Sequence, residues 1–278
     1  MPVTKVLITV KTYPNPSQTY DELVCTAGFR ENGTWVRIYP IPFRKLDYEK
    51  QYEKWQWIEL DLVRNTKDFR PESYRPYSID SEIKILNKVD RRDNWSERKN
   101  IVLNNVFDNL SDLILKAHDQ NDKTSLGVLK PKEIIDFVWE PEEREWDPKK
   151  LAIIAANHQQ NRFFEETKKM FTLVKKLPYK FSYVFTTEDG KSRKLMIEDW
   201  ELGQLYWKCL KSSSGDEASA CKKVKQKYFY EFAHKKDLYF FMGTTRVNHF
   251  RPSPFIIIGV FYPPKVAATQ QIMRFPSV

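Results

Sequence analysis

The chain contains little of what several common functional motifs require. Its 278 residues include only eight glycines, three cysteines and four histidines. The glycines form no GxGxxG or GxxxxGK[ST] phosphate-binding loop, and the HExxH and GxSxG motifs are also absent. The cysteines form no CxxC pair and the histidines are scattered, so neither a disulfide framework nor a zinc site is expected.

Long apolar runs are absent as well. The longest run, Phe255–Tyr262, ends at two prolines and is far shorter than the roughly 20 residues of a membrane-spanning helix. The start of the chain leads directly into a strand-like run and shows no signal-peptide pattern. We therefore expect a cytoplasmic protein without a membrane partner.

Positive charge is what the chain has in excess, and it is unevenly placed. The net charge is +9, and residues 173–278 carry 18 Lys and Arg against 9 Asp and Glu. The other residues therefore balance to zero. A localised basic region attracts polyanions, most commonly nucleic acid. The alternative is a solvated surface that keeps the protein soluble.

The patterning predicts an α+β protein in three parts. Short β-branched runs and an Asn32-Gly33 turn predict a β-rich domain at 1–90, either a small sheet or a partly closed barrel. Apolar residues spaced by three and four predict a helical segment at 91–172, with helices starting near Asn94 and after Asp147. Residues 173–278 predict a basic α+β domain with a helix from Trp200 to Leu210.

The strongest functional candidate is a basic helix at about 217–235. At 100° per residue, four apolar side chains form one stripe: Cys221, Val224, Tyr228 and Phe232. The opposite face carries Lys222, Lys223, Lys227 and Tyr230. Lysines beside an aromatic ring suit contacts with phosphates and bases, although any surface helix needs charges opposite its buried face.

Two loops carry further candidates for nucleic-acid binding. The loop between the last two predicted strands places four polar residues close together: Arg246, Asn248, His249 and Arg251. In the first domain, Arg70 and Arg75 each precede a proline, which holds them on extended backbone. Arginine can donate two hydrogen bonds to one phosphate. An ordinary polar hairpin loop is the alternative for the first group.

A catalytic alternative rests on three acidic residues: Asp189, Glu198 and Glu201. Glu198 and Glu201 are three apart, so a helix containing both would place them on one face, where they could bind Mg²⁺. Acidic residues are also common at helix starts, where they complement the dipole. No cofactor is expected unless this nuclease alternative holds.

Several segments together resemble an uncharacterised prokaryotic protein family. They are Lys11–Ser17, Val24–Gly28, Arg37–Arg44, Arg70–Tyr74, Asp199–Glu201, Gly243–Thr245 and Pro254–Val260. The resemblance implies a bacterial or archaeal cytoplasmic protein, in a mobile-element or phage-defence context, and brings no catalytic residues. The β-rich ends also allow a PUA-like or OB-like nucleic-acid-binding barrel.

The sequence therefore predicts a DNA- or RNA-binding protein, acting as the recognition subunit of a prokaryotic antiviral assembly. Two alternatives stay open. One is a Mg²⁺-dependent nuclease using the three acidic residues, and the other is a subunit that binds a partner protein through its aromatic surface.

Overall fold

The computed structural model describes residues 3–17, 21–41, 43–46, 51–78, 81–161 and 173–265. Eight strands come first and α-helices follow among further strands, which confirms the predicted α+β class. No helix within them is long and apolar enough to cross a membrane.

The N-terminal strands close into a barrel. Their bounds are β1 (Val3–Lys11), β2 (Asn15–Ser17), β3 (Asp21–Leu23), β4 (Thr26–Phe29), β5 (Trp35–Ile38), β6 (Gln56–Arg64), β7 (Ser73–Pro76) and β8 (Lys84–Lys88), with a 3₁₀ turn at Phe43–Lys45. Five strands pair in the order β1-β4-β5-β7-β6, and β6 pairs again with β1. The predicted barrel is therefore a closed one, with β8 added outside on β6 and β2 paired with β3.

Local sequence explains two features of this barrel. The Asn32-Gly33 turn joins β4 to β5 as an antiparallel pair, and Gly33 has φ 77°, which a residue without Cβ adopts freely. In β6, Ile58, Leu60 and Leu62 point into the barrel core, as their period-two spacing predicts. Trp57, on the other side of β6, packs in a second cluster against the C-terminal strands.

The middle segment mixes helices with strands. Its elements are α1 (Arg92–Val102), β9 (Val106–Phe107), α2 (Leu110–His118), β10 (Leu126–Leu129), β11 (Glu133–Pro141) and α3 (Pro148–Asn161). Apolar residues recur at helical spacing from Val102 to Ala117 but do not lie on one helix, because Asn109 caps a new helix by accepting from the Ser111 amide. The predicted cap at Asp147 is confirmed, since its carboxylate accepts from the Lys149 amide.

The expected capping residue Asn94 has a different conformation. Three consecutive residues of α1 have positive φ: Asp93 (48°), Asn94 (53°) and Trp95 (66°). Asn94 therefore lies inside the helix in the left-handed region, and the N-cap is Arg91, whose side chain makes no capping hydrogen bond. The local signal was wrong because the backbone turns here to place Trp95 in the interior, where it is 9% exposed.

The C-terminal elements follow the predicted pattern closely. They are β12 (Tyr179–Thr186), β13 (Ser192–Met196), α4 (Trp200–Ser212), α5 (Glu217–Lys225), a π-helical segment (Gln226–Ala233), β14 (Tyr239–Thr244) and β15 (Phe255–Phe261). One sheet has the order β15-β14-β10-β9 and another the order β11-β12-β13. Strands of the middle segment thus pair with C-terminal strands.

The barrel and the C-terminal strands share a hydrophobic core. Leu7 and Val10 of β1 pack in one cluster with Phe241 of β14 and Phe261 of β15. This packing fixes the end of β15 against the barrel wall, so residues from both ends of the chain meet there. The division of the chain at residues 90 and 172 stays a prediction.

Candidate functional site

A cavity of about 570 Å³ lies where the barrel meets α1, α4 and the end of β15. Its walls are formed by Lys11, Glu53, Lys54, Trp55, Lys88, Arg91, Trp95, Arg98, Trp200, Glu201, Gln204, Leu205, Lys208, Val260 and Tyr262. Six of these side chains are basic and two are acidic, and four are aromatic. The cavity is therefore both cationic and aromatic.

Arg98 is the most deeply placed cation of this cavity, with 2% of its surface exposed. Its Nε donates to the carbonyl of Val89 at 3.1 Å, and Nη2 donates to the same oxygen. The guanidinium carbon lies 4.5 Å from the ring centroid of Trp55 and 5.2 Å from that of Trp95. Nη1 has no hydrogen-bond partner among the described residues.

The two tryptophans beside Arg98 have unusual backbone conformations. Trp55 has φ 67° and Trp95 has φ 66°, in the left-handed region that large side chains rarely adopt. Such a conformation costs about 1–2 kcal/mol for a residue with a Cβ. Strained residues cluster at ligand sites, where the surrounding structure holds them in place.

Lys11 is a second buried cation of the cavity, with 8% of its surface exposed. Its Nζ donates to the carbonyl of Tyr52 at 3.1 Å and lies 4.4 Å from the ring centroid of Phe43. Burial, followed by repulsion from Lys54, lowers the pKa of Lys11 to about 8. No carboxylate pairs with Lys11 within the described ranges.

A buried ion pair between Lys54 and Asp199 lies close to Lys11 and joins the barrel to the start of α4. Lys54 Nζ lies 2.7 Å and 2.9 Å from the two carboxylate oxygens of Asp199, and 3.4 Å from Oε2 of Glu201. Burial lowers the pKa of Lys54, but Asp199 and Glu201 more than offset it, so that pKa is raised. The pKa of Glu201 is lowered, chiefly by Lys54. This pair holds the start of α4 against the barrel.

The predicted basic helix exists, with a π-helical second half. Its apolar stripe is buried as predicted, and Lys222, Lys223, Lys227 and Tyr230 are exposed. We call these three lysines the lysine face. Lys227 forms an ion pair with Glu231 at 2.5 Å, so the face is partly neutralised.

The lysine face borders the cavity. On α4, the exposed residues Glu201, Gln204 and Lys208 line the cavity at helical spacing, and the row continues one turn later to Ser212. Lys223 Nζ donates to Ser212 Oγ at 3.1 Å. Lys223 therefore lies beside the row of α4 residues that lines the cavity.

The second half of the basic helix reaches the cavity wall as well. Lys227 Nζ lies 5.4 Å from the ring centroid of Phe232, which stacks on Tyr262 with centroids 3.7 Å apart. Tyr262 lines the cavity. One aromatic pair thus separates Lys227 from the cavity.

The two predicted loops come together at a different place, which we call the tip (67–70 and 245–252). Phe69 stacks on Phe250, with ring centroids 5.2 Å apart and planes at 16°. Arg246 Nη1 donates to the carbonyl of Lys67 at 2.8 Å. Arg246 and Arg251 are exposed, Asn248 is half-buried, and Val247 is 82% exposed.

Arg75 and Arg70, the two candidate arginines of the first domain, differ in exposure. Arg75 is exposed and donates to the carbonyls of Pro76 and Tyr77. Arg70 is buried, pairs with Asp68 at 2.6 Å and donates to the carbonyl of Thr244. Arg70 therefore joins the barrel to β14 and is not available to a polyanion.

His249 is also in the interior, with 0% of its surface exposed. Its Nε2 lies 2.9 Å from the carbonyl of Ala117, and its Nδ1 lies 2.8 Å from Oγ1 of Thr244. A carbonyl only accepts, so Nε2 carries the proton and Nδ1 accepts from the Thr244 hydroxyl. Both ring nitrogens are occupied, which removes His249 from the set of surface contacts.

The tip and the cavity lie at opposite ends of the β14–β15 hairpin. Thr244 pairs with Phe255 beside the tip, and Tyr239 pairs with Phe261 beside the cavity. A six-residue strand spans about 20 Å. The structure therefore does not combine the lysine face and the arginine loop into one compact surface.

The residues of the nuclease alternative are not brought together. Asp189 is held by Arg193, at 2.5 Å, with Ser111 and Thr187, and these hydrogen bonds keep its pKa well below the usual range. Glu198 precedes α4 and therefore does not share a helix face with Glu201. Burial raises the pKa of Glu198.

The acidic residues also give no sign of a metal centre. The five-residue strand β13 separates Asp189 from Glu198 in the chain. Within the described ranges, no group of three His, Cys, Asp or Glu side chains is arranged to hold a metal ion.

Sequence reasoning missed the residues that build the cavity. Lys11, Lys54 and Arg98 are single charges in otherwise ordinary strand or helix patterns. Three lining tryptophans are near a lining charged residue in the chain, as in Lys54-Trp55, Trp95–Arg98 and Trp200-Glu201. This pairing was a signal, but only the fold shows that the pairs face one space.

Comparisons with known proteins were made for sequence and for structure. No curated protein matches the chain in sequence. A solved structure titled "Structure of murine DNA binding protein bound with ds DNA" aligns over 96% of this chain and 97% of that chain, at 10% identity. Its TM-score of 0.31 is too low to support an argument about fold or function.

Two family profiles cover nearly the whole chain. Residues 2–104 match the profile described as "Domain of unknown function (DUF8758)", which covers the barrel and α1. Residues 106–277 match "Domain of unknown function (DUF8757)", which is more than half of the chain. The chain therefore belongs to the DUF8757 family, with a DUF8758 region preceding it.

Proposed function

We propose that this protein binds nucleic acid along the surface formed by the lysine face and the adjoining cavity. The observation that carries the proposal is the placement of the exposed lysines of the basic helix beside a cavity with six basic and two acidic side chains. Lysines contact phosphates without regard to sequence, and aromatic rings stack on exposed bases. Both kinds of group are adjacent here.

The charge balance supports this surface. Both cavity carboxylates are already paired, Glu53 with Lys88 and Glu201 with Lys54. Lys11, Arg91, Arg98 and Lys208 have no carboxylate partner in the described part of the chain. Lys222 and Lys223 likewise lack one there. These cations are available to the phosphates of a ligand.

The test is fluorescence anisotropy with labelled single-stranded DNA, duplex DNA and RNA at 50 and 200 mM salt. Three phosphate contacts correspond to a salt slope of about −2.7 on duplex DNA, so duplex affinity should fall about 40-fold between the two concentrations. The variant Lys222→Glu/Lys223→Glu/Lys227→Glu should weaken binding at least about tenfold at the lower salt.

A matched control makes the same charge change elsewhere. Lys132, Lys149 and Lys191 are exposed and lie outside the cavity and the lysine face. The variant Lys132→Glu/Lys149→Glu/Lys191→Glu should stay within about twofold of the unmodified protein. Equal losses in both variants, or no binding of any nucleic acid at 50 mM salt, would refute the proposal.

The tip supports a second candidate function, binding of a partner protein. Phe69, Val247 and Phe250 are 41%, 82% and 49% exposed, and they form an apolar patch beside Arg246 and Arg251. Exposed apolar patches rimmed by polar residues mark protein interfaces. A recognition subunit in a prokaryotic defence assembly would use both surfaces. Co-purification from the native host that is lost in Phe69→Ser/Phe250→Ser, with nucleic-acid affinity retained, would support this role.

A further inference from the structure

The cavity is partly open to solvent, and its basic and aromatic side chains line one space. Its volume of about 570 Å³ lies within the 300–1,000 Å³ of small-molecule sites. Arg98 and Lys11, which are buried, and four aromatic side chains all line this space. We propose that this cavity binds one nucleotide, with a phosphate held by Arg98 and Lys11 and the base against the tryptophans.

Arg98 is the first of two cations that could hold a phosphate in this cavity. The Val89 carbonyl and the two indole rings hold the guanidinium in one orientation. Nη1 is left without a partner in the described part of the chain, although the residue is 2% exposed. A buried charged N–H without an acceptor is unfavourable. Arg98 lines the cavity, and in the proposed complex a phosphate oxygen accepts from this N–H. Arginine is the side chain best suited to this contact.

Lys11 is the second cation of the proposed phosphate site. It is buried, has no carboxylate ion-pair partner among the described residues and is repelled by Lys54, and burial and this repulsion together outweigh the attraction of Glu201, Glu53 and Asp199. A ligand with one or two negative charges compensates this cation. Glu201, a carboxylate of the same cavity, is already paired with Lys54. The cavity therefore selects an anion over a cation.

The aromatic walls of the cavity provide surfaces on which a base can stack. Trp55, Trp95, Trp200 and Tyr262 all line the same space. Stacking on such rings holds every nucleobase, because each base has a π-face. An inorganic anion would use the arginine and lysine but not these rings. A nucleotide uses both, which is why we choose it over phosphate alone.

The nucleotide has two possible sources, a free nucleotide and a nucleotide turned out from a bound strand. The second source rests on the proposed function, because the lysine face would then hold the flanking phosphates. The first does not. The same residues serve both, and the experiment separates them.

The experiment is a titration of the full chain, followed by tryptophan fluorescence and calorimetry. The probes are the four ribonucleoside 5′-monophosphates, the matching nucleosides, ribose 5-phosphate and a 12-nucleotide strand. We expect at least one monophosphate to bind at least about tenfold more tightly than its nucleoside and ribose 5-phosphate. Lys11→Met and Trp200→Leu should each weaken it at least about fivefold.

Two further variants test other cations of the cavity. Arg98→Gln tests the phosphate contact directly, and Lys208→Ala tests an exposed cation of the same wall without removing a buried group. Both should weaken monophosphate binding, whereas Lys211→Ala, an exposed lysine of α4 outside the cavity wall, should not. Each variant is first checked for a native unfolding transition.

The outcomes separate the sources and the two proposals. Lys11-dependent binding of a monophosphate indicates a free nucleotide, and Lys11-dependent binding of the strand alone indicates a turned-out nucleotide. If monophosphates bind and no strand does, the proposed function fails and the nucleotide site stands. If neither ligand depends on Lys11 or Arg98, the nucleotide site is refuted, even where the triple lysine variant still abolishes strand binding.

Discussion

Nζ of Lys54 lies 2.7 Å from Oδ1 of Asp199, and the two side chains are 5% and 0% exposed. This buried pair links Lys54, two residues before β6 of the barrel, to the N-cap of α4. It sets the position of α4, from which Trp200, Glu201 and Lys208 reach the cavity. The stability of the fold and the shape of the candidate site therefore depend on the same contact.

Removing one partner of this pair should be costly. Asp199→Ala leaves Lys54 buried and also removes the cap that accepts from the Glu201 amide. We expect a loss of about 3–5 kcal/mol in the free energy of unfolding, measured by urea denaturation. Asp216→Ala is the matched control, since Asp216 caps α5 at an exposed position and its loss should cost about 1 kcal/mol. Similar losses for both would contradict the role given to the buried pair.

Lys11→Met should stabilise the protein at pH 7 while weakening ligand binding. The folded-state pKa of about 8 lies below the usual 10.5, so between these values the unfolded chain binds a proton that the folded protein does not. The unfolding free energy of the unmodified protein therefore rises with pH through this window, and at pH 7 the full cost is present.

The stability gained in Lys11→Met should depend on pH. The gain for Lys11→Met at pH 7 should be up to about 3 kcal/mol and should shrink towards pH 10, where Lys11 is neutral. The groups that face Lys11 are Lys54, Glu53, Glu201 and Asp199. Urea unfolding at both pH values measures the difference, with the exposed Lys149→Met as control. A variant that is less stable at pH 7 would overturn the prediction.

The loss of stability on substituting an arginine of the two loops should depend on whether that arginine is buried. Arg70→Ala leaves Asp68 without its partner in the interior and should cost about 3–5 kcal/mol of unfolding free energy. Arg75→Ala and Arg251→Ala remove exposed side chains, and each should change stability by less than about 0.5 kcal/mol. Thermal or urea unfolding of the three variants tests this, and a neutral Arg70→Ala would show that Arg70 is not a link between barrel and β14.

His249 should titrate below its usual range. Burial is the main cause that lowers its pKa from 6.5, although the Ala117 carbonyl acts in the opposite direction. Below about pH 6.5 the unfolded chain gains a proton that the folded protein does not, so His249 lowers stability as the pH falls. NMR titration of the imidazole gives the midpoint directly. A midpoint above 6.5 would contradict the buried, neutral state.

Much of the C-terminal part could be predicted from local patterns. The helix from Trp200 and the buried stripe of the basic helix appear as expected, because helical spacing alone determines which side chains share a face. The hairpin at Asn32-Gly33 follows from turn chemistry. The break between α1 and α2 was missed, because an apolar stripe at helical spacing does not show that Asn109 starts a new helix.

The candidate site was predictable only in part. The exposure of the lysine face follows from the sequence, since charges must lie opposite a buried stripe. The burial of His249 does not, because it depends on the Ala117 carbonyl of a distant helix. The same holds for Arg70, which is buried by its contact with Thr244.

The sequence by itself determined the α+β class, the β-rich start and the location of the excess charge, since these depend on spacing and composition. The tertiary structure decided that the barrel closes and that Lys11, Trp55, Arg98 and Trp200 surround one cavity. These side chains come from β1, the residue before β6, α1 and α4, and no local pattern relates such distant segments. Only the packing of the barrel against α4 and β15 places the lysine face beside that cavity.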